Sequence, residues 1–363
     1  MKNLILVINY IFLPLIIFSQ TLTKTIEFDY TTINRIIYHK GYIYGAGYTE
    51  IPGSKKLREA FIVKMDKNGK ILWQNTFGGK LFDQIKDFVI KDNKIYATGI
   101  TWTKDNRSQV WFVVISDNGQ IISQYDFGYK MNDGAYKILI DKDDNFYLIG
   151  FTTVLEKNTK NIWILKVDDN GKILWNKQIG NLSINEEAID ALDLDHNLFI
   201  VARVWKQGVS DYDPWLIMLS KKGDIIWQTK NNIYEDNYLV KVLKRKENFI
   251  LIGETWEKNK SKKGDIWLLQ INYSGQKIFD KVLGTFVVER VKDALMDNDN
   301  LWIFGGYNKN LNASIWLINN EGKIIEHKVF DLPQINSAVL LSKNQFIIGG
   351  GQGKRGYISF LNL

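Results

Sequence analysis

The sequence returns to one phrase at a fixed interval, and that repetition limits what the chain can fold into. The stretch Asn161 to Gly180, NIWILKVDDNGKILWNKQIG, reads as two strands around a tight turn: a run led by Trp163, the turn Asp168-Asp169-Asn170-Gly171, then Ile173-Leu174-Trp175. Its turn glycine has counterparts at Gly69, Gly119, Gly223, Gly275 and Gly322, with steps of 50, 52, 52, 52 and 47 residues. An aromatic leads the preceding strand each time: Phe61, Trp111, Trp163, Trp215, Trp267 and Trp316. A second landmark keeps the same period and closes a short apolar strand: Gly47, Gly99, Gly150, Ala202, Gly253, Gly305 and Gly349.

Each unit therefore holds four short strands, a to d, joined by turns rich in Asn, Asp and Gly. No stretch shows a helical period, and the aromatic content of 13% with only four prolines favours strands over disorder. A four-stranded antiparallel unit of about 50 residues, repeated, is the blade of a β-propeller. The last unit has three strands, SAVLL, QFIIGG and GYISFLNL, while Thr23 to Tyr30, TKTIEFDY, supplies an unassigned strand at the other end. Pairing that strand into the last blade removes the exposed edges of an open array. The expectation is an all-β, seven-bladed propeller forming one domain over 20–363. Its blades fall at about 31–79, 80–130, 131–181, 182–232, 233–285, 286–330 and 331–363 plus 22–30.

The first nineteen residues are a separate object. Lys2 precedes a nearly continuous apolar run, Leu4 to Phe18, and Ser19 follows as a small residue. A run this short, broken by Asn9 and Pro14, reads as a secretory signal cleaved near Ser19 rather than as an anchor, which needs about 20 apolar residues. No later segment resembles a membrane span. The chain has no cysteine, so disulfides, thiol catalysis, thiolate metal sites and a lipid-attachment cysteine are all absent. The expected location is secreted or periplasmic, with stability coming from the core alone.

The units resemble a family of secreted bacterial propellers with the repeat Gly-x-Thr, a variable loop, Asp-x-Trp-φ-φ-Lys-φ-Asp-x-x-Gly-x-φ-x-Trp, then Gly-Gly and a later Asp. The matching residues are Gly150-Phe151-Thr152, Asn161 to Asp168 and Gly171 to Trp175, with Gly253-Glu254-Thr255 and Asp265-Ile266-Trp267 in the fifth unit and Gly78-Gly79 followed by Asp83. The resemblance implies the propeller fold over nearly the whole mature chain and little about activity. Members often carry a C-terminal sorting domain, which is not expected here. The Asp66, Gly69, Trp73 and Asp168, Gly171, Trp175 spacing is also similar to quinoprotein propellers, whose adjacent cysteine pair has no counterpart. The sialidase Asp-box has a shorter Asp-to-Gly spacing, so that activity is not carried over.

In a propeller the b–c and d–a loops share one face. The seven b–c loops carry +1, +1, +1, −1, +3, +1 and +2, together +8 against +7 for the whole chain. Lys258, Lys260, Lys262 and Lys263 cluster in one loop, and Lys354 and Arg355 lie in another. Three loops begin with tryptophan, Trp102, Trp205 and Trp256. Exposed aromatics beside lysines suit an anionic glycan or a nucleic-acid strand through stacking and charge; the competing reading is a solvated rim whose tryptophans cover the blade ends. Asp83, Asp133, Glu186 and Glu289 recur at one place in the d–a loops, which suits turn caps better than catalytic acids.

One register position on strand a alternates in sign around the ring: Arg35, Asp87, Lys137, Asp190, Lys241, Asp293, then neutral Ser337. Pointing inward, these residues form a structural ion-pair ring at the central channel. Asp141 to Asn145, Asp193 to Asn197 and Asp297 to Asn300 read as hairpin turns rather than calcium loops. His39, His196 and His327 belong to different blades, which argues against histidine-based chemistry. The expected function is non-catalytic binding of a protein or an anionic glycan by a monomer, with no cofactor or metal and no nucleic-acid partner. The alternative is a carbohydrate-active hydrolase or lyase using Asp211, Asp213 or Glu187, although a glycosidase needs two carboxylates across one cleft.

Overall fold

The structure is a computed structural model that describes residues 21–50, 52–53, 57–78, 81–105, 107–129, 131–206, 208, 212–230, 236–256, 264–284 and 288–363. The leader 1–19, Asp211, Gly79 and the four clustered lysines Lys258, Lys260, Lys262 and Lys263 lie outside the described residues.

Among the described residues the strands sort into seven antiparallel sheets of four, and neighbouring inner strands contact one another around a closed ring. In the first blade the inner strand is Thr31–His39, followed by Tyr42–Glu50, Arg58–Asp66 and the outer strand Ile71–Phe77. The outer strand alternates between more and less exposed residues because one side faces solvent. Third strands such as Ser108–Ser116 are buried almost throughout, since a neighbouring blade covers each of their faces. The apolar residues accordingly form seven clusters, one at each junction between adjacent blades.

The ring closes as the strand count requires. The N-terminal strand Thr21–Asp29 pairs antiparallel with the last strand, Arg355–Asn362, and inserts Phe28 into the core between the last and first blades. Tyr30 then ties the two blades, donating its N–H to Lys354 O at 2.8 Å and accepting from Glu50 N–H at 2.8 Å.

A β-bulge interrupts every inner strand at the same place, immediately before the alternating-charge position. In an unbroken strand, residues three apart point to opposite faces. Here Ile85 and Phe88 enter one interblade core together, as do Ile33 and Ile36 in the next, because the extra residue resets the alternation. The bulge also drives a carbonyl against the second strand. A Cβ on Gly99 would stand 1.9 Å from Gln84 O, and one on Gly305 would stand 1.7 Å from Arg290 O. This approach explains the glycine landmark and corrects its last member. In blade 7 the residue against the carbonyl of Gln334 is Gly350, whereas Gly349 pairs with Ser337.

The phrase that recurs in the sequence is a clasp between blades. Asp168 accepts the N–H groups of Asn170 and Lys172 at 3.0 and 2.8 Å, holding the turn. Gly171, at φ +72°, then lies under the Tyr125 ring from the preceding blade. The same contact joins Trp73 to Gly119, Trp227 to Gly275 and, across the closure, Phe360 to Gly69. Trp73 and Trp227 add Nε1–H bonds of 2.9 and 3.0 Å to Asp117 O and Tyr273 O. His327 is an outer-strand residue stacked on Trp316 at 4.9 Å.

A Cβ on Gly171 would meet Tyr125 at 2.5 Å, whereas one on Gly223, at φ +89°, would meet Trp175 only at 3.5 Å. Both alanine substitutions incur the positive-φ strain, but only the first adds a clash. Gly171→Ala is therefore expected to destabilise by roughly 2–3 kcal/mol and Gly223→Ala by about 1 kcal/mol. Urea unfolding of the two variants checks the order, and equal losses would remove the aromatic clasp as the cause.

Candidate functional site

The inner strands begin at the face carrying the b–c and d–a loops and run down the central channel. Their charged position lies just past the bulge, and all seven residues of the alternating series turn into the channel. Arg35 Nε lies 3.2 Å from Asp87 Oδ1 as an ion pair not aligned for a hydrogen bond, and Arg35 Nη1 reaches past blade 7 to Asp293 Oδ2 at 3.8 Å. Lys137 Nζ sits between Asp87 at 3.4 Å and Asp190 at 3.2 Å, and Lys241 Nζ lies 2.8 Å from Asp293. The side chains also clasp backbone across the junctions. Asp87 accepts Ile138 N–H at 3.3 Å, Asp190 accepts Val242 N–H at 3.1 Å and Asp293 accepts Ala338 N–H at 3.1 Å. Ser337 Oγ takes the same role toward Ile36 N–H at 3.1 Å, each donor belonging to the following blade.

Burial alone would push the carboxyls of Asp190 and Asp293 up. Lys137 and Lys241 beside the first, and Lys241 and Arg35 beside the second, outweigh it and hold both below the usual carboxylate range. Burial likewise opposes the charge of Lys137, but Asp190 and Asp87 keep its amine above the ordinary lysine value. Three cations and three anions leave this floor of the channel neutral.

Above the floor, toward the loop face, lies a second layer. Glu187 is fully buried and accepts from Arg203 Nε at 2.6 Å, from Arg203 Nη2 and from Lys160 Nζ at 2.9 Å. The Arg203 guanidinium stands 5.0 Å from the Tyr238 ring, 5.3 Å from Tyr212 and 5.5 Å from Trp205. Arg290 covers Trp256 at 4.4 Å while its Nη1 donates to buried Glu254 at 2.6 Å. Burial pushes the Glu254 carboxyl up against the pull of Arg290 and of Val291 N–H. On the other side of the mouth, Arg58 pairs with Glu50 at 2.9 Å and stacks over Tyr48 and Phe82 at 4.3 and 4.7 Å. Lys86 and Lys292 project into the channel between these groups and the floor.

The three loop tryptophans are half-buried rather than free-standing platforms. Trp205 and Trp256 join the cation–aromatic layer at the mouth, whereas Trp102 packs on Phe82 at 5.8 Å in its own blade. Lys354 and Arg355 are exposed on blade 7, the second paired with Glu27 at 2.7 Å. Asp213 is half-buried at the start of Asp213–Ser220. The recurring d–a acids face inward. Asp133 accepts Tyr129 N–H at 2.7 Å and Thr152 Oγ1–H at 2.5 Å, Asp83 accepts Thr101 Oγ1–H at 2.5 Å, and Glu186 accepts Asn181 N–H at 2.6 Å and Lys230 Nζ at 3.1 Å. Burial raises Asp133 and Glu186 above ordinary carboxylates despite those bonds.

The bulge residues escaped the sequence reading. Strict alternation turns the residue before a channel-facing one away from the channel, yet the bulge brings Lys86 alongside Asp87, and Lys292 alongside Asp293, at the same cavity. A signal did exist: apolar residues three apart, such as Ile85 and Phe88, flank each pair.

Removing one cation from the floor leaves buried carboxylates facing each other. Lys137→Met is expected to lower stability by roughly 3–5 kcal/mol. The double variant Lys137→Met/Asp190→Asn is expected to lose less than the sum of the single changes. Chemical denaturation of the four proteins checks this, and strict additivity would mean that Lys137 and Asp190 act independently.

No protein family matches the chain, and no curated protein does. Among solved structures it is similar to the WD40 β-propeller domain of Doa1, at 10% identity and TM-score 0.58 over 95% of this chain and 97% of that one. It is also similar to the Dos1 propeller, at 11% identity and TM-score 0.54 over 95% of each chain. The AfRom2 CNH domain gives 8% identity and TM-score 0.52 over 92% of this chain and 98% of that one. Likeness at such identities carries the fold alone, and in that sense the chain is a seven-bladed β-propeller.

Proposed function

We propose that this chain is an exported, non-catalytic scaffold that holds an anionic glycan across the face bearing its b–c and d–a loops. One observation carries the reading: on that face the recurring acids are turned inward while cations and aromatics stand at the mouth. Asp83, Asp133 and Glu186 are fully buried. Their oxygens accept from N–H and hydroxyl donors inside the loops, so they present no carboxylate surface to a bound polyanion. Cations interleaved with half-buried aromatic rings suit a polymer that presents both charge and flat sugar faces. The neutral floor beneath offers a polyanion no net charge, so the attraction lies at the rim.

The hydrolase alternative has less support. Glu187 is fixed between Arg203 and Lys160, an arrangement that anchors cations at the mouth rather than freeing an acid for proton transfer. Export rests on the leader at 1–19, and a secreted or periplasmic location belongs to this proposal.

The test is retention of the purified chain on immobilised polyuronate, sulfated polysaccharide and neutral glucan. Retention on the polyanions is expected at about 0.05 M salt, falling several-fold by about 0.3 M, with none on the neutral glucan. Replacing Lys258, Lys260, Lys262 and Lys263 by Gln should weaken retention without changing the melting temperature. Failure on every polyanion at low salt sinks the glycan reading and leaves a protein partner. Export is checked by N-terminal sequencing of the protein recovered outside the cytoplasm, where Gln20 is expected as the first residue; an intact Met1 there would reject cleavage.

A further inference from the structure

The residues that the bulges push into the channel differ sharply around the ring. Lys292, Asn336, Asn34 and Lys86 follow one another on blades 6, 7, 1 and 2, forming a polar arc. Tyr136, Ile189 and Val240 on blades 3 to 5 complete the circle with an aromatic and aliphatic arc. Together with the neutral floor they line a cavity of about 120 Å³, room for roughly four waters. That volume admits one carboxylate with the atoms next to it, and excludes a polymer chain.

The two lysines differ from every cation of the floor. Arg35, Lys137 and Lys241 each have at least one carboxylate within 4 Å. Among the described residues Lys86 and Lys292 have none; the Tyr136 ring lies 5.9 Å from Lys86 Nζ. The charges around them add to the imbalance. Burial, then Arg58 and Lys292, push the Lys86 amine down to about 8, with Glu187 opposing only weakly. Lys292, exposed to the channel, is also held below the ordinary lysine value: enclosure by the channel walls lowers it, Glu254 attracts it, and Arg290 and Arg203 repel it. An anion placed between the two amines relieves this repulsion.

The amides between them set the rest of the ligand. Asn34 Nδ2 donates to Ile85 O at 2.7 Å and Asn336 Nδ2 donates to Ile33 O at 3.0 Å. With the nitrogen ends held by backbone, each amide oxygen remains as an acceptor. Two ammonium groups flanking two acceptors match a carboxylate bonded to a carbon skeleton that bears hydroxyls.

We propose that the channel mouth is a socket for the carboxylate of one acidic sugar, seated between Lys86 and Lys292 with neighbouring hydroxyls on Asn34 and Asn336. The proposal rests on the glycan reading above and sharpens it: the rim holds the chain, and the socket takes a single projecting uronate.

The test is lysine acylation followed by mass spectrometry at pH 8 on the full mature chain, with glucuronate, glucose, acetate and inorganic sulfate as probes. Glucuronate is expected to slow acylation of Lys86 and Lys292 about fivefold or more and to leave Lys354 unchanged; glucose should protect nothing. By calorimetry, Lys86→Gln and Lys292→Gln are each expected to weaken glucuronate binding about tenfold at an unchanged melting temperature, and Asn34→Asp should abolish it by repulsion. Unaltered acylation of both lysines at saturating glucuronate overturns the socket. Equal protection by acetate or sulfate overturns the sugar-acid assignment. Polyuronate retention without protection of Lys86 removes the socket and spares the rim; protection without polymer retention does the reverse.

Discussion

The bulge in each inner strand is the constraint on which the remainder of the molecule depends. By inserting one residue it lets two apolar side chains three positions apart enter the same interblade core, so seven narrow cores can each be sealed by a single strand. In six blades the displaced carbonyl leaves no space for a Cβ on the adjoining strand, and glycine follows at Gly47, Gly99, Gly150, Gly253, Gly305 and Gly350; blade 4, with Ala202 at this place, is the exception. The pair of residues left over has nowhere to go but the channel. Core, glycine pattern and channel lining are thus three results of one backbone irregularity.

Junctions between blades are secured at two radii. Near the axis, carboxylates and Ser337 accept N–H groups from the following inner strand; near the rim, an aromatic covers the next blade's turn glycine. Both are local contacts between consecutive blades, so the ring is held by many similar links and by one special one, the N-terminal strand. This division places charge where water is scarce and partners are fixed, and apolar rings where the sheet edge meets solvent.

The blade count and strand order were legible in the sequence because turn glycines and strand-leading aromatics recur in register. The charge series from Arg35 to Ser337 was legible for the same reason: a fixed register carries every copy to the same depth. Lys86 and Lys292 were not, since alternation alone turns them away from the channel and only the bulge turns them back. The run Gly349-Gly350-Gly351 misled by one residue, because three glycines offer three equally good alignments until Gln334 O selects one. The half-burial of Trp102, Trp205 and Trp256 was hidden too. It depends on Phe82, Tyr212 and Arg290, which reach them from other loops and strands.

Seven is an odd number, and a closed circle with an odd number of places cannot alternate plus and minus throughout. Ser337 is where this frustration is resolved: a neutral hydroxyl keeps the backbone clasp while Arg35 stretches past it to Asp293. The ring therefore has a phase, with one seam set at the blade assembled from both ends of the chain. Any lineage that gains or loses a blade must do so at the seam or in oppositely charged pairs. Elsewhere, a single charged insertion sets like charges side by side at the floor of the channel.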